Sequence, residues 1–308
     1  MKKSQAFLLC SIVIGLNLFS FPISAQIRPS RTWLTDVVRM RGAEGVSPSL
    51  LGGAEIQRSS GSLGGEQAWQ FRTHVQAEVY RFTDSTRDVQ LTTSIEAHQE
   101  LTANPLNDIS FNPRAMRWEE FFWFHIGLPD VSLRAGFVHR CKHDIDNLGG
   151  ADEYNPTSPL LAEQRTIILT GPTIAASLAP LTGSAGTFTL AGGLEYFLNS
   201  SDNRTPRSFN ATWNAMQGAG WLRAQHTYSL TNVLALSASA YIALPWWSAR
   251  DASDGALPYE ARAELCLTAR GSASQIDLAF AAERMFDEVA FAVPQQTSFM
   301  GLCVRFRP

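Results

Sequence analysis

Charge is scarce in this 308-residue chain: Asp, Glu, Lys and Arg make up 17% of it, against roughly 25% in an ordinary soluble domain. The net charge of -3 is small and no basic cluster stands out, which removes the electrostatic basis for nucleic-acid binding. Long apolar runs are missing once the first 25 residues are set aside. No stretch of about 18 uninterrupted apolar residues follows, so a helical membrane span is not supported. Cysteine is sparse too. Beyond Cys10 only Cys141, Cys266 and Cys303 remain, an odd number, so in an exported protein at least one thiol is free or pairs between chains.

What is present begins with a leader. Lys2 and Lys3, an apolar run from Ala6 to Phe21, and Ile23-Ser24-Ala25 before Gln26 read as a signal peptide over residues 1–25. Cys10 lies too early in that run for lipidation. The remainder, 26–308, is then an exported soluble domain or a membrane barrel, and its wealth of Ser, Thr, Ala and Gly suits the barrel.

Period two decides between them, because a barrel strand alternates a lipid-facing apolar residue with a lumen-facing one. From Tyr259 to Ala269, Tyr259, Ala261, Ala263, Leu265 and Leu267 share one face, while Glu260, Arg262, Glu264, Cys266 and Thr268 share the other. Val89 to Glu100 and Phe71 to Val79 repeat the pattern. So does the closing segment, Met300 to Arg307, although it trails into Arg307-Pro308 rather than ending on an aromatic residue. In all, the pattern predicts an all-β, antiparallel transmembrane barrel of about 12 strands, an even number that brings both termini to the periplasmic side. The first strand is placed at Leu50–Gln57, with 26–48 unassigned and Trp33–Arg41 as the competing segment.

The connections alternate as such a barrel requires. Short joints at Thr83–Arg87, Pro129-Asp130, Leu181–Gly186, Leu230–Asn232 and Gly271–Ala273 are periplasmic. Longer ones, such as Asn104–Met116 and Asp144–Leu160, are external. Trp69, Trp118, Trp246 and Tyr259 fall near the external ends and Phe188, Tyr228 and Phe306 near the other, matching two aromatic girdles. A soluble β-sandwich shares the period but not the strand length or the loop alternation. The expected location is the outer membrane of a diderm, Gram-negative bacterium.

The lumen-facing parity collects Arg72, His74, Glu78, Glu96, His98, Glu100, Glu119, His125, Glu195, Arg223, Arg262, Glu264, Arg270, Asp277 and Glu283. Opposite charges confined in a narrow barrel should pair across strands, so the interior is expected to be filled. A narrow pore or proton path is the functional alternative, and a wide diffusion pore is disfavoured at this strand number.

The exceptional segment is Val131 to Asp144. Continuing the lipid-facing parity of Val131, Leu133, Ala135 and Phe137 brings His139, Cys141 and His143 to the outer surface, where polar groups bear a desolvation cost. A thiol becomes a nucleophile when an imidazole takes its proton and a third group orients that imidazole. His139 and Cys141, two apart on a strand, share a face, and Glu153 in the following loop is the candidate orienter. The arrangement resembles the outer-membrane acyl hydrolases, the phospholipase A and lipid A deacylase barrels, with His-x-Ser on the outer barrel surface and Asn or Glu further on. Here Cys141 stands in the Ser position and Lys142 in that of the following Asn. The resemblance implies hydrolysis of acyl esters of phospholipid or lipopolysaccharide by His139, Cys141 and Glu153, without a cofactor. The segment also resembles an uncharacterised outer-membrane family bearing His-x-Ser-Ser-His followed by Asp-Glu.

Two other readings use the same residues. His139, Cys141, His143, Asp144 and Asp146 form a metal-binding set, for a transition metal or, through the carboxylates alone, calcium. Alternatively they are an interfacial cluster touching lipopolysaccharide head groups on a non-enzymatic channel or structural barrel. The expected partners are membrane lipids or lipopolysaccharide. Oligomeric state is not legible.

Overall fold

The computed structural model describes residues 45–46, 50–61, 68–103, 113, 115–144, 166–202, 216–247, 259–272, 274–286 and 296–307. The leader and Glu153 lie outside these residues, as do the other long external loops. The described elements are all strands: β1 (Gly45–Val46), β2 (Leu50–Gly61), β3 (Trp69–Asp84), β4 (Val89–Ala103), β5 (Ala115–Gly127), β6 (Val131–Asp144), β7 (Thr166–Leu178) and β8 (Leu181–Gly183). They continue with β9 (Gly186–Tyr196), β10 (Asn199–Asp202), β11 (Met216–Ser229), β12 (Leu234–Trp247), β13 (Glu260–Arg270), β14 (Gln275–Phe286) and β15 (Gln296–Arg307).

Each long strand pairs antiparallel with its neighbours in chain order, and β15 returns to pair with β2, from Phe306 opposite Ala54 to Phe299 opposite Gly61. The result is a closed barrel of 12 staves. The first stave is β2; the competing segment Trp33–Arg41 lies outside the described residues. Three short pieces complete the sheet: β1 on β3, β8 beside β9 in the joint expected at Leu181–Gly186, and β10, which prolongs β9 along β7.

The burial pattern is that of a soluble protein turned inside out. Leu265, Phe280 and Leu302, neighbours on β13–β15, are 47%, 51% and 55% exposed, while Cys266, Asp277, Cys303 and Arg305 behind them are buried. A β-sandwich would bury the apolar set; a lipid-facing wall exposes it. The belt continues through Phe122, Phe124, Leu133, Phe137, Ile174 and Leu194.

Two irregularities shift the expected parity along the strands, and a third slip, between Met216 and Gly218, lies at the external end of β11. The β3–β4 register slips between Glu78 and Tyr80, so Val79 is an extra residue. Beyond it Tyr80 and Phe82 point outward, and Arg81 turns inward onto Glu78, Nε to Oε1 2.5 Å. The second lies between β9 and β10. Thr173 faces Glu195 but Thr170 faces Asn199, leaving one residue too many at Phe197-Leu198. Phe197 is buried and Leu198 exposed. Gly171 lies opposite, where a Cβ would run into the Tyr196 carbonyl.

The interior holds the charges. Glu55 binds Arg72 and Arg305 (2.6 Å), and Arg305 also reaches Glu264 (2.9 Å) and Asp277 (3.4 Å). Arg262 joins Glu264 (2.6 Å) and Glu283, Arg72 joins Glu100 (2.6 Å), and Arg307 ends the strand on Asp277 (2.5 Å). A second group joins Arg140 to Glu119 (2.5 Å) and Glu195 (2.9 Å). Arg134 lies 4.4 Å over the Trp123 ring, whose indole N-H donates to Glu96 at 3.0 Å. The expectation of a filled interior holds along this wall. It fails for β9, β11 and β12, whose inward Thr189, Gln225, Ser237 and Ser239 are only half-buried. Arg270, expected in the lumen, is exposed at the periplasmic end of its strand. Cys141, Cys266 and Cys303 are all free.

One tight turn tests the geometry of the periplasmic end. Gly186 has φ +114°, and a Cβ there would meet the Thr227 carbonyl. Gly186→Ala is expected to destabilise the barrel by about 1–3 kcal/mol. An unchanged urea midpoint for detergent-folded protein would contradict this turn.

Candidate functional site

The β5–β6 ladder runs from Gly127 opposite Ser132 to Ala115 opposite Asp144 without a register shift. No bulge therefore intervenes before His139, and the outward row Leu133, Ala135, Phe137 continues into His139, Cys141 and His143. The inward row confirms the parity: Arg134, Arg140 and Lys142 are buried in the lumen.

Register supplies the neighbours of these side chains. His139 lies between Glu120 on β5 and Thr170 on β7; Cys141 lies between Trp118 and Ile168. Directly paired residues have Cβ atoms about 4.5–5.5 Å apart, so Glu120 is within side-chain reach of His139. Glu120 is exposed and, among the described residues, is the only carboxylate that a strand turns outward between its ends. The imidazole Nδ1 lies 2.9 Å from Thr170 Oγ1. That bond fixes the ring and leaves Nε2 as the nitrogen available to the thiol or to water. His143 is held in the same way, Nδ1 to Thr166 Oγ1 3.3 Å.

Cys141 makes no hydrogen bond among the described residues and is 9% exposed, tucked between Trp118 and Ile168. It is separated from His139 by two residues of strand, about 7 Å. The structure thus brings His139 and Cys141 to one face without a direct bond. Glu153, the expected orienter, lies outside the described residues. Among the described residues no three His, Cys, Asp or Glu side chains converge as metal ligands; the Asp144 side chain and Asp146 lie outside them.

The cluster sits at the upper rim of the apolar belt. Below Glu120 and His139 the outward residues of β5 and β6 are Phe122, Phe124, Ile126, Phe137 and Leu133, all exposed. Above them come Gln99, Thr73, Thr166 and His143. Long loops lie beyond this end and short turns at the other, so the rim is that of the outer leaflet.

Glu120 and Thr170 do not figure in the sequence reading of the site. Glu120 carried a usable signal, because Trp118, Phe122 and Phe124 fix the β5 parity and put it outside. Thr170 carried none, since its place beside His139 depends on register.

Closed staves, an apolar outer belt and a charged interior define the class: this is an outer-membrane β-barrel. No family model matches the chain, and no curated protein matches it in sequence. Solved structures similar to it include an outer-membrane channel from Pseudomonas putida F1, 11% identical over 86% of this chain and 96% of that one, TM-score 0.42. LpxR from Salmonella typhimurium is 9% identical over 84% and 99%, TM-score 0.39. The Pseudomonas putida toluene transporter TodX is 9% identical over 84% and 88%, TM-score 0.38.

Proposed function

We propose that the protein hydrolyses acyl esters of outer-leaflet lipids at its lipid-facing surface, with Cys141 as nucleophile, His139 as base and a carboxylate that takes the place of Thr170 Oγ1 on the imidazole Nδ1. The observation that carries this reading is the cross-strand placement of Glu120, the one carboxylate turned outward between the ends of the described strands, beside His139 at the belt's rim. Glu153 from the external loop competes with Glu120 for the orienting role. In the reaction, His139 takes the Cys141 proton as the sulfur attacks the ester carbonyl, then returns it to the departing alcohol oxygen. Water, deprotonated by the same imidazole, cleaves the thioester, so one ester and one water yield one fatty acid and one alcohol. No metal or cofactor enters these steps; calcium bound by loop carboxylates would act on the lipid head group.

The test is fatty-acid release from phospholipid and lipopolysaccharide by detergent-folded protein, with His139→Ala as the control. Release by the parent and its loss in the variant are expected; no release from either substrate by folded parent protein sinks the proposal. Glu120→Leu separates the carboxylates. It is expected to lower release about 100-fold and to leave stability equal or raise it by up to about 1 kcal/mol, the cost of an acidic group near the membrane interface. Full activity in this variant with loss in Glu153→Gln assigns the role to the loop.

A second reading is favoured by the half-buried, hydroxyl-bearing wall of β9, β11 and β12: a solute route from the periplasmic end. Buried Phe197, Met216, Ala219 and Ala243 stand above it. Single-channel conductance that persists in Cys141→Ala and rises in Phe197→Ala would support this route over the hydrolase.

A further inference from the structure

Trp221 is the first aromatic side chain on the inward row of β11, counted from the periplasmic end. Leu222 beside it is exposed on the lipid face, which turns Trp221 into the lumen. There it pairs with Gly193 of β9 and Ala243 of β12. A Cβ on Gly193 would point into the lumen and stand 2.8 Å from both Cε2 and Cζ2 of the indole. Cε2 is a ring-fusion carbon, so the face of the indole, not its rim, rests on the wall where Gly193 has no side chain. Trp221 still stays half-buried. With one face against Gly193, its exposure belongs to the opposite face, which looks across the lumen.

Hydrogen-bonding groups spaced two residues apart line the way up to this ring. On β11, Arg223 donates to Gln225 Oε1 at 3.0 Å, and Gln225 donates to Thr227 Oγ1 at 3.2 Å. Thr187 and Thr189 of β9 flank that row on one side, Ser237 and Ser239 of β12 on the other, and all four are half-buried. Thr187 to Gly193 is six residues, about 20 Å of strand, so the open space is a deep vestibule with the indole near its inner end. Arg223 is the one formal charge on the described inward rows of β9, β11 and β12 below Trp221. Glu195, above it, is bound to Arg140 at 2.9 Å.

We infer that this vestibule binds a saccharide entering from the periplasmic end, with one ring face on Trp221 and its hydroxyls on the ladder below. This is independent of the hydrolase reading; it rests on the solute route along β9, β11 and β12 and gives that route its solute class. A sugar ring has an apolar C-H face and a girdle of hydroxyls. The first suits an aromatic face, and the second needs donors and acceptors at intervals around it, which Gln225, Thr189 and Ser239 supply at one level. Arg223 adds a planar set of donors beside Tyr241. An aromatic hydrocarbon would stack as well on the indole but would strip water from these groups without replacing its hydrogen bonds.

Saturation-transfer NMR on the full-length, detergent-folded barrel tests this with two probes, maltotriose and the trimer of N-acetylglucosamine, and triethylene glycol as the control. Transfer to the ring C-H protons of at least one sugar, and none to the control, is expected. Trp221→Ala is expected to raise the Kd about tenfold, and Trp221→Phe to keep part of the affinity. Ser239→Phe fills the vestibule while leaving the indole in place, and is expected to abolish binding even if Trp221→Ala folds poorly. No transfer to either sugar, or unchanged transfer in Trp221→Ala and Ser239→Phe, overturns the inference. A separate measurement reads the route itself: Ser237→Cys is treated with a water-soluble methanethiosulfonate and the mass of its peptide is followed. Modification is expected. Modification without sugar binding would keep the route and end the saccharide assignment, whereas an unmodified Cys would close the route and take the assignment with it.

Discussion

Cys141→Ala is expected to lower fatty-acid release about a thousandfold or more, whereas Cys141→Ser is expected to keep a substantial part of it. The two substitutions exchange rank between the catalytic and the structural readings. If the thiol is the nucleophile, a hydroxyl on the same β carbon can be driven by the His139 imidazole in the same way, and a methyl group cannot. If Cys141 only packs between Trp118 and Ile168, Ala is the harmless change and Ser brings an unpaired hydroxyl to a lipid-facing site, at a cost of about 1–3 kcal/mol. Steady-state kcat/KM per folded barrel, with folding scored by gel mobility before and after heating, reads both. Equal activity in both variants removes Cys141 from the reaction.

Glu55→Gln is expected to lower the unfolding free energy by about 3–5 kcal/mol, a large part of the 5–15 kcal/mol typical of a folded domain. Glu55 is buried and stands among Arg72, Arg262 and Arg305. The amide keeps the shape of the carboxylate and removes its charge, so five guanidinium groups, those of Arg72, Arg117, Arg262, Arg305 and Arg307, are left to share Glu264, Glu283, Glu100 and Asp277. Adding Arg305→Met to Glu55→Gln should recover part of the loss, since it removes the surplus cation. Urea unfolding in lipid measures both. A loss under about 1 kcal/mol, the range of exposed pairs, would show that water screens this network.

Most of the architecture was legible because lipid imposes a strict rule on every strand. Leu265 and Leu267 against Glu264 and Cys266, or Leu302 and Val304 against Cys303 and Arg305, announce which side is which without any knowledge of neighbours. The bulge at Val79 was not legible, since Val79, Tyr80 and Phe82 are all acceptable to lipid and a one-residue slip leaves no mark in the pattern. The half-open wall of β9, β11 and β12 was missed for a related reason. Small neutral residues such as Thr189 and Ser237 satisfy the inward parity whether they face packed side chains or space. At the site, the orientation of His139 and Cys141 followed from parity and the ladder preserved it. The partners did not follow, because Glu120 and Thr170 come from other strands, and register is settled by the turns and by the closure of the whole barrel.

That closure joins the chain's far ends. Gln57 accepts a hydrogen bond from Cys303 Sγ at 3.1 Å across 246 positions of sequence, and Arg305 reaches back to Glu55. Until β15 is in place, β2 presents a row of unsatisfied backbone groups, and so does whichever strand has most recently joined. A nascent barrel is therefore a curled ribbon with two adhesive margins, and its completion waits on the synthesis of β15. Contacts so distant in sequence form slowly. A chain truncated before β15 would leave both margins open to other chains.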